Sequence, residues 1–413
     1  MQIELLPAKL SGVVQIPPSK SDAHRAIICA ALSQGTSTIA NVAFSDDIIA
    51  TIGAMRTLGA TINQVENKLI VQGISQKVKG DIEINCIESG STLRFLTMIA
   101  SALCNGKIHF VGKGKLGTRP MEIFQNILQS QGILYQNDSL QNANQLLDLW
   151  IGGGLSSGKF SLRGDVSSQF LSGLLFACPL LAGDSEIEIT SPMQSVGYVD
   201  LTLNTLSKFG IVVDNDHYQR FFIRGNQRYQ SRDYTIEGDY SQAAFFKVAN
   251  LIGNDIEICG LSDQSFQGDK VIDDFCDQIA RAESEQTLVL DCGDCPDIVP
   301  PLAVGVGLRK GKTRIVNIGR LKIKECDRLA ATYSELSKLG ANIKMGQDYL
   351  EFDGVQSFSG GQVSSFNDHR MAMALAIAAT RATSPVIIDS KECVSKSYPD
   401  FWQVYTSVGG KIK

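Results

Sequence analysis

Six times along the chain, a polar segment rich in helix-capping residues leads directly into an apolar run of helical length. A small residue or turn and a β-branched strand follow each run. In most copies a second, amphipathic helix then ends in Gly before another strand. The first copy runs from Lys20 through Ser37-Thr38-Ile39-Ala40-Asn41-Val42 to residues 55–62. The second opens at Glu88-Ser89-Gly90-Ser91-Thr92-Leu93-Arg94 and the third at Val166-Ser167-Ser168-Gln169-Phe170. The fourth, with the least regular second half, opens at Asp239-Tyr240-Ser241-Gln242-Ala243. The fifth opens at Asp297-Ile298-Val299-Pro300 and the sixth at Asn367-Asp368-His369-Arg370. The pairs Leu58-Gly59, Phe209-Gly210 and Leu339-Gly340 read as helix C-caps before strands.

Spacings of roughly 55–80 residues are too long for a solenoid and suit a duplicated unit of strands and helices. Six copies in 413 residues predict an α/β protein of two pseudo-symmetric domains, each of three repeated β/α units. The division is placed so that 1–18 and 234–413 form one domain and 19–233 the other. If the helix starts of both domains face one another, the cleft between them collects positive helix ends and traps anions.

The first helix start carries the clearest chemistry. Two prolines in Ile16-Pro17-Pro18-Ser19-Lys20-Ser21-Asp22-Ala23-His24-Arg25 keep the approach extended. Ser19 or Ser21 then reads as the N-cap of the run Ala26-Ile27-Ile28-Cys29-Ala30-Ala31-Leu32. Lys20 and Arg25 oppose the macrodipole there, by roughly 0.3–1 kcal/mol for a cation in the first turn, and a bound anion is the simplest compensation. Cations recur at other starts: Arg94; Arg119 before Pro120, read as the first helical position; Lys322, Lys324 and Arg328 around Glu325 and Asp327; Arg370; and Lys396 in Ser395-Lys396-Ser397-Tyr398-Pro399, read as opening another helix. Taken singly, each is an ordinary solvated residue; recurrence at equivalent points makes them candidates. Ser167, Ser168 and Gln169 offer neutral donors, against the plainer reading of an N-cap and its neighbour.

Composition narrows the function. The formal net charge of −5 argues against a nucleic-acid-coating or membrane-surface protein, so the useful cations are local. Ten cysteines lack paired spacing, and Cys29, Cys104 and Cys178 sit in apolar runs, as reduced cytosolic thiols do. The lone Cys292-Gly293-Asp294-Cys295 has no second pair and no nearby His, which disfavours zinc or redox use. Met1-Gln2-Ile3-Glu4-Leu5 shows no signal-peptide pattern, and the longest apolar stretch, residues 371–380, is far short of a membrane span. The expected protein is soluble, cytoplasmic and monomeric. No P-loop, no G-x-G-x-x-G after a strand and no His-rich metal pattern is present. Gly152-Gly153-Gly154 reads as a linker. The chemistry is expected to run on cations, hydroxyls and carboxylates, with no cofactor and no metal.

Together the motifs resemble the enolpyruvyl transferase family, most closely its members acting on shikimate 3-phosphate. The resemblance rests on Pro18-Ser19-Lys20-Ser21 with Arg25, Ser89-Gly90-Ser91-Thr92-Leu93-Arg94, Thr118-Arg119-Pro120 and Ser167-Ser168-Gln169-Phe170. It continues through the Asp297 element, Lys324-Glu325-Cys326-Asp327-Arg328, Asn367-Asp368-His369-Arg370-Met371-Ala372-Met373 and Ser395-Lys396-Ser397-Tyr398-Pro399-Asp400, covering essentially the whole chain in order. It implies an inside-out α/β barrel in each domain and substrates in the interdomain cleft. The implied reaction moves the enolpyruvyl group of phosphoenolpyruvate to the 5-hydroxyl of shikimate 3-phosphate and releases phosphate.

By that resemblance Lys20, Ser21 and Arg25 form the first substrate-binding element, and Ser167, Ser168 and Ser195 surround the shikimate phosphate. Gln169 lies between the substrates, and Asp297 and Lys324 sit at the shikimate ring. Gly90, Arg119, Arg328, Arg370, Lys396 and again Lys20 serve phosphoenolpyruvate. The reaction needs a base for the hydroxyl, an acid for the methylene carbon and fixed positive charge for the leaving phosphate. Asp297 is assigned as base, with Glu325 and Lys20 sharing proton transfer to and from carbon. The plainer reading of Asp297 is an N-cap before Val299-Pro300.

Some positions depart from the family pattern. Glu88 stands where its best-known members have Asn, Ser91 where they have Thr, and Arg320 where an Asn touches the shikimate part; Val196-Gly197 replaces a basic residue and Pro. Gly90 is kept, and the family's inhibitor glyphosate lies against that backbone, so sensitivity is expected. The rival is the branch that uses UDP-N-acetylglucosamine, whose loop carries a reactive Cys a few residues before the Arg; residues 110–118 contain none. A non-catalytic binder of phosphometabolites is the reading from another class, and it has no need of carboxylates among its cations.

Overall fold

The computed structural model describes residues 1–141 and 146–413, which form two units: Met1–Pro17 with Gly238–Lys413, and Pro18–Glu237. In Pro18–Glu237 the repeat is plain. Ile82–Asn85 leads to the helix Gly90–Leu103, and Lys107–Gly112 returns parallel to the first strand. A parallel pair requires such a crossover, which explains the helix between them. The amphipathic helix Glu122–Ser130 follows, then Tyr135–Asn137 and Leu147–Gly152, which pair antiparallel with each other; Leu147–Gly152 also lies antiparallel to Lys107–Gly112. The same parallel–antiparallel–antiparallel order recurs in the sheet of Lys159–Leu162, Ser185–Ile189, Arg220–Ile223 and Asp214–Asp216.

The third sheet of this unit takes its leading strand from the unit's far end. Asp233–Thr235 pairs parallel with Thr36–Ala40, which continues to Lys68–Gln72 and Thr61–Val65. Ile236 is buried in the same apolar core. The division expected after residue 233 therefore falls after Glu237, because this strand completes the sheet of the first repeat.

Met1–Pro17 with Gly238–Lys413 carries two four-stranded sheets of the same order. One holds Leu288–Asp291, Lys312–Val316, Leu350–Asp353 and Asn342–Met345; the other holds Gly361–Val363, Val386–Ile388, Ile3–Leu6 and Lys411–Ile412. Among the described residues the fourth repeat keeps a parallel pair, Ser11–Gln15 with Asp255–Cys259, and its second helix is Ile272–Arg281. Among the described residues no sheet closes on itself. The inside-out arrangement therefore consists of open sheets with apolar helices buried against them.

Each repeat's first helix is buried nearly all round, which demands apolar residues on every face. In Lys20–Leu32 every residue from Asp22 onward is buried, and each large aliphatic side chain there contributes about 1.5–3 kcal/mol. Ser19, Ser89, Ser167, Asp239 and Asp368 are the N-caps of five of these helices, each accepting a backbone N–H. Gly59, Gly210 and Gly340 end second helices with φ of 104°, 80° and 85°, a region that favours glycine.

Three local expectations change. The helix after Arg119 begins at Glu122, leaving Pro120 in the connection before it. Lys396 ends the short 3-10 helix Lys391–Lys396, and the next helix begins at Phe401. Gly152-Gly153-Gly154 is no linker: Gly152 ends a strand, and a Cβ on Gly153 would strike the Cys104 carbonyl. Among the described residues no helix is long and apolar enough to cross a membrane.

Candidate active site

In Pro18–Glu237 the predicted residues gather at helix starts. Lys20 opens its helix, and its Nζ lies 2.7 Å from Asp47 Oδ2, in the first turn of Asp46–Thr57. The compensation expected from a bound anion thus comes at least partly from a carboxylate. Arg25 folds back over its own first turn. It donates to the Ser21 carbonyl at 2.6 Å, Thr202 Oγ1 at 2.8 Å and the Tyr198 carbonyl at 3.0 Å, with its guanidinium 5.2 Å from the Phe95 ring centre. Burial lowers its pKa to about 10. These bonds tie the first helix to Val196–Lys208, whose N-cap position holds Ser195, buried with φ of 59°.

Gln169 joins the second and third helix starts. Its backbone N–H donates to Ser167 Oγ at 3.3 Å, its Nε2 to Ser91 Oγ at 2.9 Å, and its Oε1 accepts from Arg94 Nη1 at 2.8 Å. Arg94 also donates to the Pro120 carbonyl at 3.2 Å and stands over Phe170, 5.0 Å from the ring centre. Ser168 is buried in the same helix start. Gly90 lies against Arg119, and a Cβ there would collide with Nη1 of that guanidinium. Only glycine fits this approach without moving the arginine.

In Gly238–Lys413 the predicted residues form an ion-paired cluster. Asp297 Oδ1 accepts from Arg328 Nη1 at 2.9 Å and Lys324 Nζ at 3.3 Å, while Oδ2 accepts from Arg370 Nη2 at 3.1 Å. Arg370 Nη1 also reaches the Asp297 carbonyl at 3.0 Å. Asp297 lies inside the short 3-10 helix Pro296–Ile298, and the N-cap positions of that helix and the next are Cys295 and Ile298, so the N-cap reading falls. Burial pushes its carboxyl upward, but Arg370, Lys324 and Arg328 outweigh that and hold it well below the usual carboxylate range. Burial also lowers the Lys324 ammonium, against the pull of Asp297.

Arg328, 1% exposed, is satisfied by three carboxylates. Besides Asp297 it donates to Glu325 Oε2 and, from Nε, to Asp368 Oδ2 at 2.7 Å. Lys396 Nζ donates to the Asn367 carbonyl at 3.0 Å. The buried Asp269 accepts from Ser241 Oγ, and burial with the nearby Asp297 charge pushes its carboxyl up to about 6. Arg320 donates to the Gly293 carbonyl. A fixed carboxylate among several cations can take a hydroxyl proton while the cations stabilise developing negative charge.

The family profile described as EPSP synthase (3-phosphoshikimate 1-carboxyvinyltransferase) matches residues 6–405. The chain belongs to the EPSP synthase family. A Clostridium botulinum (strain Alaska E43) protein named 3-phosphoshikimate 1-carboxyvinyltransferase is 49% identical, across 99% of this chain and 98% of its own. A protein of that name from Clostridioides difficile (strain 630) is 46% identical, again over 99% and 98%. The solved EPSP synthase of Acinetobacter baumannii superposes with a TM-score of 0.79 at 22% identity, over 100% of this chain and 99% of that one, which establishes the likeness of fold.

Within this family frame, sequence reasoning missed the partners more than the ligand candidates. Asp47, Thr202 and the Tyr198 carbonyl hold Lys20 and Arg25, yet they lie 27, 177 and 173 residues away. Arg94 was visible as a cation at a helix start, but its link to Gln169 was not. Asp368 stands inside Asn367-Asp368-His369-Arg370 and reads as a cap; its second role as counter-ion to Arg328 required the fold.

Proposed function

We propose that this chain transfers the enolpyruvyl group of phosphoenolpyruvate to the 5-hydroxyl of shikimate 3-phosphate, releasing phosphate. The observation that carries the reading is Asp297: a carboxylate kept ionised by Lys324, Arg328 and Arg370, in a chain of this family. Asp297 removes the hydroxyl proton as that oxygen bonds to C2 of phosphoenolpyruvate. The C3 methylene takes a proton, with Glu325 and Lys20 sharing delivery, and a tetrahedral intermediate results. Glu325 and Lys20 then take a proton back from that methyl as phosphate departs, which restores the double bond.

Ser167, Ser168 and Ser195 hold the shikimate phosphate, and Lys20, Ser21 and Arg25 form the first substrate-binding element. Gln169 lies between the substrates and Lys324 at the ring. Lys20, Gly90, Arg119, Arg328, Arg370 and Lys396 serve phosphoenolpyruvate. Four anionic groups enter together, and fixed cations offset the desolvation each would otherwise incur. The reading places the chain in the cytoplasm, where ten free cysteines fit a reducing compartment, and takes it as a monomer.

Phosphate release from phosphoenolpyruvate is the test, with shikimate 3-phosphate and, separately, UDP-N-acetylglucosamine as acceptor. Turnover with shikimate 3-phosphate alone is expected. Turnover with the sugar nucleotide would transfer the chain to the sister activity. Calorimetric binding of shikimate 3-phosphate without turnover would make it a binder.

A further inference from the structure

Two contacts, one helical turn apart, join Lys20–Leu32 to Asp46–Thr57. Lys20 meets Asp47, and one turn on His24 Nδ1 lies 2.7 Å from Thr51 Oγ1. The second contact continues into the unit. Thr51 Oγ1 is 2.8 Å from Thr92 Oγ1, and Thr92 donates to Ser89 Oγ at 2.8 Å from its hydroxyl and 3.1 Å from its backbone N–H. His24, Thr51, Thr92 and Ser89 are each 0% exposed.

Counting protons gives this chain a direction. Each hydroxyl has one proton to donate. Thr92 directs its proton to Ser89, so Thr51 donates to Thr92 and His24 donates from Nδ1 to Thr51. His24 is therefore the Nδ1–H tautomer, with Nε2 a bare acceptor that has no hydrogen-bond partner. Burial lowers its pKa to about 3, so the ring stays neutral through the physiological range. The chain ends on Ser89, the N-cap of Gly90–Leu103, beside the Gly90 approach to Arg119. One face of Asp46–Thr57 thus braces the cation Lys20 through Asp47 and the Gly90 turn through Thr51.

We propose that Thr51 is a positioning residue for the phosphoenolpyruvate side of the site, its hydroxyl fixing the Ser89-Gly90 turn relative to Lys20. This rests on the enolpyruvyl-transfer reading. Thr51 touches no substrate group; it acts through Thr92 and Ser89. A valine of nearly the same shape would fill the space but could neither accept from His24 nor donate to Thr92. A serine keeps the hydroxyl.

The test measures KM for each substrate and kcat in wild type, Thr51→Val, Thr51→Ser and Ser89→Ala, together with hydrogen exchange of the Thr92 amide. Thr51→Val should raise KM for phosphoenolpyruvate roughly 5–20-fold while leaving that for shikimate 3-phosphate within about twofold. Thr51→Ser should recover most of the loss. Ser89→Ala should show the same split, and Thr51→Val added to it should do no further harm. Exchange at the Thr92 amide should quicken in Thr51→Val. Equal rises for both substrates, identical behaviour of Thr51→Val and Thr51→Ser, or unchanged amide exchange would overturn the proposal. Should Thr51→Val not fold, an equal rise of both KM values in Ser89→Ala overturns it alone. A wild type without turnover would sink the enzymatic reading instead, and the exchange measurement would still decide whether Thr51 anchors the turn.

Discussion

The buried arginines at the helix starts of the two units are held differently, although Lys20 of the first unit is itself paired with Asp47. In Pro18–Glu237, Arg25 and Arg94 donate to carbonyls, a hydroxyl and an amide, and lie over phenylalanine rings. In Gly238–Lys413, Lys324, Arg328 and Arg370 all reach carboxylates. A guanidinium resting on neutral dipoles keeps its charge for an incoming anion. One paired with carboxylates is neutralised locally, and the quantity being tuned is the carboxylate's proton affinity. The first arrangement suits holding anions in place; the second suits moving a proton.

Substitutions can break or sharpen that contrast. The largest effect is expected from Asp297→Asn, which keeps the shape but loses the base: kcat should fall roughly 10³-fold, with calorimetric binding of shikimate 3-phosphate largely retained. Near-normal turnover would remove Asp297 from the chemistry. Asp368→Ala should come next, because it leaves the buried Arg328 short of two charged bonds. Denaturant melts should show a loss of about 3–5 kcal/mol. The matching lesion in the other unit, Thr202→Val, removes one neutral acceptor from Arg25 and should cost only about 2 kcal/mol. Equal losses would erase the distinction between the two modes.

His24 gives a pH test of the same size. Its folded pKa, about 3, lies below the unfolded value of 6.5, so the unfolded chain binds a proton first as pH falls. Wild type should therefore lose stability relative to His24→Asn on acidification, by about 2 kcal/mol between pH 7 and pH 5. Asp22, pushed up to about 6 by burial, works in the opposite sense, but it is present in both proteins and cancels in the difference. A pH-independent difference would mean that His24 titrates in the folded protein. The smallest effect belongs to Gly90→Ala. The new methyl displaces the flexible end of Arg119, so KM for phosphoenolpyruvate should rise roughly tenfold, about 1.4 kcal/mol. Inhibition by glyphosate should weaken more than catalysis does; unchanged inhibition would place the inhibitor elsewhere.

Much of the fold was legible because its signals are local. Ser19, Ser89, Ser167, Asp239 and Asp368 cap helices where the polar-to-apolar switch predicts, since a cap needs only N–H groups two or three residues away. The glycines after Leu58, Phe209 and Leu339 end helices for an equally local reason. Reading fell short where contacts span the chain. The cap alternative for Asp297 falls and its ion pairs with Lys324, Arg328 and Arg370 needed the fold, while Asp368 is both cap and counter-ion. Pro120 carries a helix-start signal, yet the helix begins only at Glu122.

The sequence by itself determined the repeat, the helix starts and the residue types that could meet an anion, because capping, periodicity and charge act over a few residues. Tertiary structure alone decided that Asp233–Thr235 completes the first repeat's sheet, that Thr202 holds Arg25 and that Thr51 connects His24 to Ser89. Those choices depend on strand pairing and on which buried donor finds which buried acceptor. Burial makes each such pairing obligatory, and chain separation hides it until the fold forms.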